Sequence, residues 1–114
     1  MPKYRFPSDA ENARKLEEID ALISKVMKLW KEMVKVREKM CWFRDCPLET
    51  ALGIEELVNR AKEFHELCYR YHYLLLEGNF VSEADIAGLR EGYEKLKEAW
   101  LEFLAKNGLG IIYM

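Results

Sequence analysis

The stretch Leu16–Met40, LEEIDALISKVMKLWKEMVKVREKM, decides the fold. Its apolar residues step by three and four through Leu16, Ile19, Ile23, Val26, Trp30 and Met33, skip Arg37 and finish at Met40. That is the 3.5-residue beat of a helix buried along one seam. Leu22, Leu29 and Val36 flank the seam on one side, Met27 and Val34 on the other. A face this broad is wider than one partner covers, so at least two neighbouring helices are expected.

Upstream, Ser8-Asp9-Ala10-Glu11 has the form of a capping box, which predicts helix 1 over 9–40 behind an N-terminal arm, 1–8. Downstream, Trp42-Phe43-Arg44-Asp45-Cys46-Pro47 interrupts the pattern, and Pro47 fits a helix only in its first turn. The chain therefore reverses and a second helix is predicted over 48–77, with the seam Ile54, Leu57, Ala61, Phe64, Cys68, Tyr71, Leu75. Gly53 is a weak point near its start, and Gly78 stands where a helix ends. Ser82-Glu83-Ala84-Asp85 caps a third helix, 83–106, whose seam is Ile86, Leu89, Tyr93, Leu96, Trp100, Phe103. Gly88 and Gly92 each cost about 1 kcal/mol against Ala inside a helix, and close packing is the expected compensation.

Short turns make antiparallel neighbours. The expected fold is all-α: one domain, 1–114, forming an antiparallel up-down-up three-helix bundle with long heptad-patterned helices and an apolar tail, 107–114. Folding helix 1 onto helix 2 brings Lys39 near Glu55, Lys31 near Glu63 and Lys28 near Glu66.

Half of the 114 residues are apolar and a third charged, which suits a single core. A net charge of -2 gives no global attraction to nucleic acid or an anionic membrane. No apolar run approaches membrane-spanning length, and Met1–Pro7 has no apolar signal core. The reading is a cytoplasmic protein without membrane association, or a virion protein if a virus encodes it. The chain has no Gln, Thr50 is its single Thr, and Glu and Lys fill its surface positions, a usage that resembles hyperthermophile proteins. Cys41, Cys46 and Cys68 are expected as thiols in a reducing compartment, a Cys41–Cys46 disulfide being the exception a hyperthermophile permits.

Chemistry-bearing motifs are sparse. Lys25, Lys28, Lys31, Lys35 and Lys39 make a basic half of helix 1, the kind of stripe that tracks phosphates. Cations also belong near a helix C-terminus, and no aromatic residue interleaves on that polar face to stack a base. His65 and His72 lie seven apart, about 10 Å along a helix, too far to share a metal ion unaided. Cys68 falls between them but belongs to the seam. Arg60 and His65 have an Arg-x4-His spacing used by small helical RNases, although about 0.4 such matches arise by chance in a chain of this composition. With no phosphate loop, nucleophile triad or carboxylate pair, neither a cofactor nor a metal is expected.

The most informative stretch for function is Tyr69-Arg70-Tyr71-His72-Tyr73-Leu74-Leu75-Leu76. Tyr71 and Leu75 belong to the seam and His72 to its boundary. Tyr69, Tyr73 and Leu76 instead fall on the polar side, where Asn59, Lys62 and Glu66 sit in earlier turns, and Phe80 extends them. Tyrosine suits an interface because it brings a large rigid area with a polar tip. The tail adds Ile111, Ile112 and Tyr113 with no charged neighbour. The expectation is a non-enzymatic interaction or assembly module that self-associates, or binds another protein, through these residues. The competing cover for Tyr69 and Tyr73 is the chain's own arm with Tyr4 and Phe6. The alternatives are a nucleic-acid-associated regulator or virion protein using the lysines, and a small all-helical RNase-like enzyme.

Overall fold

A computed structural model describes residues 7–41 and 48–107. They form three helices, α1 (Pro7–Cys41), α2 (Leu48–Leu76) and α3 (Glu83–Lys106), each packed on the other two and drawn out into a rod of 59 × 20 × 20 Å. The all-α three-helix bundle is the observed fold. No strand occurs among the described residues.

The helix ends follow local chemistry. Ser82 closes a capping box on α3: its Oγ accepts from the Asp85 amide at 3.1 Å, and the Asp85 carboxylate accepts from the Ser82 amide at 3.2 Å. Gly78 stops α2 with φ +82, a conformation that only glycine adopts cheaply. The paired bonds Gly78 N to Leu75 O and Asn79 N to Leu74 O satisfy the last carbonyls there. One expected start is displaced. α1 already includes Pro7, so Ser8 lies inside the first turn rather than before it; the fixed φ and missing N–H of proline suit that position.

The core divides into two clusters along the rod. Leu29, Met33, Ile54, Ala61 and Trp100 centre one; Ile19, Ile23, Cys68, Ile86 and Leu89 centre the other. In α1 the buried face keeps Ile19, Ile23, Val26 and Met33 of the expected seam and turns toward one flank: Leu22, Leu29 and Val36 are fully packed, whereas Leu16 and Trp30 are half-buried. The turn arises because α3 covers the Leu22/Leu29/Val36 side. Glu55 accordingly meets Arg37 at 3.4 Å, and Asp20 meets His72 at 2.9 Å. The expected register is correct to within two residues, but Lys28 and Lys31 form no ion pair among the described residues. Lys28 faces α3 instead.

The two α3 glycines part company. A Cβ on Gly92 would stand 2.7 Å from Phe64 Cε1, so close packing does explain that glycine, whereas one on Gly88 meets nothing within 4 Å. The expectation of compensating contact fails at Gly88. Gly53 is no break: α2 runs through it, with the Phe103 ring 3.2 Å from where its Cβ would be.

Candidate interaction surface

Tyr69, Tyr73, Leu76 and Phe80 all reach the surface at one end of the rod, exposed by 48%, 60%, 53% and 81%. Three of them come from the outer side of α2, whose inner side spends Ile54, Leu57, Val58, Ala61, Cys68 and Leu75 on the core. Tyr69 is held edge-on between two histidines, with ring centroids 4.7 Å from His65 and 6.4 Å from His72. His72 is anchored across the helix pair through its Nε2 to Asp20 Oδ1. His65 Nε2 is buried and has no hydrogen-bond partner among the described residues. The phenol ring is thus flanked by two imidazoles of its own helix, one of them tied to α1.

At the tip of this end lies a buried cation that sequence reasoning missed. Lys15 is 2% exposed and donates from Nζ to the Val81 carbonyl at 2.5 Å, with Nζ 5.2 Å from the centroid of the Phe80 ring. Beside it Arg14 pairs with Glu83 and ties α1 to α3. Lys15 sits seven residues before Leu22, on the row that continues through Leu29 and Val36. That spacing was the available signal. Phe80 is thus fixed from below while its other face stays open.

Three more exposed apolar residues among those described went unflagged, Leu101 on α3 and two on α2. Leu48 is 74% and Leu52 60% exposed, at the opposite end of α2 from the tyrosines. The tail with Ile111, Ile112 and Tyr113 lies outside the described residues, as do the arm 1–6 and Cys46; of Cys41 only the helical backbone is described. The tail's root is nonetheless clear: Asn107 closes α3 and receives the Thr50 hydroxyl at 2.9 Å.

The arm with Tyr4 and Phe6, the competing cover for Tyr69 and Tyr73, likewise lies outside the described residues.

Lys25, Lys28, Lys31, Lys35 and Lys39 of α1 are all exposed. Lys25 and Lys28 join Lys97 in an α1–α3 groove of about 330 Å³ floored by Trp100, with Glu32 and Glu94 between them. Lys25 Nζ stands 5.9 Å from the centroid of the Tyr93 ring. Burial, and then the charges of Glu94 and Glu32, push the Tyr93 phenol above its ordinary pKa. Arg60 and His65 do not converge: Arg60 lines a shallow depression with Phe64 and Gly92, while His65 turns to Tyr69. Cys68 is enclosed in the core, and burial pushes its thiol up to about 11. Among the described residues no three His, Cys, Asp or Glu side chains are grouped to hold a metal, and no helix is long and apolar enough to cross a membrane. No protein-family model, curated protein or solved structure matches the chain.

Proposed function

We propose that this protein is a non-enzymatic interaction module that self-associates through the outer face of α2, with Tyr69, Tyr73, Leu76 and Phe80 as anchors. The observation that carries the reading is a set of four large, exposed apolar side chains, two of them against neighbouring side chains: Tyr69 between His65 and His72, and Phe80 over Lys15. Exposed patches of this kind mark contact surfaces, and rigid aromatic anchors dominate such contacts. The tail residues Ile111, Ile112 and Tyr113 are part of the same proposal as further contact residues.

Sedimentation equilibrium at tens of micromolar tests this reading. The wild type should be an oligomer and Tyr69→Glu/Tyr73→Glu a monomer with an unchanged helical spectrum. A wild-type monomer at that concentration would rule it out.

A second reading, nucleic-acid association, draws on the α1–α3 groove, where Lys25, Lys28 and Lys97 gather. Glu32 and Glu94 offset two of those three charges, which is why it ranks below the first. Duplex DNA affinity that falls steeply from low to moderate salt, and falls again in Lys25→Ala/Lys28→Ala, would support it; affinity indifferent to salt would not.

A further inference from the structure

The exposed apolar residues of α2 are not confined to the tyrosine end. Leu48 and Leu52 begin a stripe that Tyr69, Tyr73 and Leu76 finish, and Glu55, Asn59, Lys62 and Glu66 fill the positions between. The steps alternate four and three throughout, and every member is exposed. This is a second heptad stripe on the same helix, facing away from the bundle. Together with Phe80 it holds six of the seven large exposed hydrophobic residues among those described, Leu101 being the other.

Such a pattern, apolar at both ends and polar in the middle, complements itself when one copy is reversed. In an antiparallel pair, positions that begin a step of three face positions that begin a step of four. Two registers along α2 meet that condition with overlap over most of the helix. One places Glu55 against Glu66 of the second copy, twice by symmetry, which is repulsive. The other places Lys62 against the second copy's Glu66, Leu52 against its Leu76, Asn59 against its Tyr69 and Glu55 against its Tyr73. Both ion pairs are then attractive, each phenol meets an acceptor, and Phe80 comes toward Leu48 and Leu52. A stretch of about 36 Å per helix is engaged, a length suited to a standard interface of about 800 Å² per partner.

We infer that the occupant of the outer α2 face is a second copy of this chain, lying antiparallel, with Lys62 opposite Glu66 of its partner. This rests on the self-association proposed above and adds its geometry. A two-fold pairing of this kind closes on itself and yields a dimer, whereas contact of the tyrosine end with a different surface would propagate.

The test is sedimentation equilibrium on the full chain with exposed-site variants, each checked by circular dichroism. Leu52→Glu, about 25 Å of helix from Tyr69, should raise the dimer Kd at least about tenfold. Lys62→Glu should raise it about tenfold by creating two like-charge pairs, and Lys62→Glu/Glu66→Lys should return it to within about threefold of wild type. If the wild type is dimeric and Tyr69→Glu/Tyr73→Glu dissociates it, but Leu52→Glu has no effect or the double swap gives no rescue, the antiparallel pairing is overturned while self-association stands. A monomeric wild type overturns both.

Discussion

The inner and outer stripes of α2 share a seven-residue beat and differ in what fills its middle. The inner one is apolar from Ile54 through Val58 and Ala61 to Cys68 and Leu75, and all of these are buried. The outer one is apolar at Leu48 and Leu52, becomes polar from Glu55 to Glu66, and turns aromatic at Tyr69 and Tyr73. A continuous apolar stripe would have to be covered at all times. An interrupted one leaves a monomer that tolerates water, and on the proposed reading its two separated patches would supply affinity and the charges between them register. On that reading one helix carries both a folding surface and an association surface.

The sharpest way to break that contrast is to truncate neighbours on the two stripes. Leu75→Ala, at a residue 3% exposed, should cost about 2–4 kcal/mol of unfolding free energy. Tyr73→Ala, two residues away and 60% exposed, should change the stability of the dissociated monomer by no more than about 0.5 kcal/mol while weakening association. Denaturant titration below the dimer Kd reads both. Equal losses would show that the outer stripe belongs to the fold.

The α3 glycines extend the comparison with smaller effects. Gly92→Ala drives a methyl into the Phe64 ring and should cost about 1–3 kcal/mol. Gly88→Ala enters open space and should gain about 0.5–1 kcal/mol from helix propensity. Thermal melts of the two variants should move in opposite directions. A loss at Gly88 would mean that this face is also covered.

The smallest effect is a dependence on pH from the inner stripe. Cys68 has its thiol raised from 9.0 to about 11 by burial, so the unfolded chain releases that proton first. Its contribution to stability is complete below pH 9 and is lost as pH rises from there through about 11. Unfolding curves of wild type and Cys68→Ala across that window should show the steeper decline in wild type. Parallel curves would contradict the buried placement.

Much of this architecture is legible in the sequence because it is local. Ser82 and Asp85 announce the start of α3, Gly78 the end of α2, and the pattern of α3 gives Glu83–Lys106 as expected. The α1–α2 register follows from short connections and falls within two residues of the observed Arg37–Glu55 pair. The rotation of α1 is not legible, since it depends on where the third helix lies. A seam drawn for symmetrical neighbours passes through Leu16 and Trp30, whereas α3 draws in Leu22, Leu29 and Val36. Lys15 was signalled only by its spacing from Leu22, Leu29 and Val36. A lysine reads as a surface residue, and what buries it is a carbonyl at Val81, far along the chain.

The tyrosine patch was readable as a departure from pattern, because Tyr69, Tyr73 and Leu76 stand where Asn59, Lys62 and Glu66 stood in earlier turns. Its continuation to Leu48 and Leu52 was not, since apolar residues in a first turn beside Pro47 read equally well as packing. Their exposure turned a local patch into a stripe.

The most direct test of the stripe as an association surface is sedimentation equilibrium of the wild type beside Tyr69→Glu/Tyr73→Glu at tens of micromolar, with both helical spectra recorded. A dimeric wild type and a monomeric, fully helical variant are predicted. A wild type that stays monomeric, or a variant that stays dimeric, would contradict it.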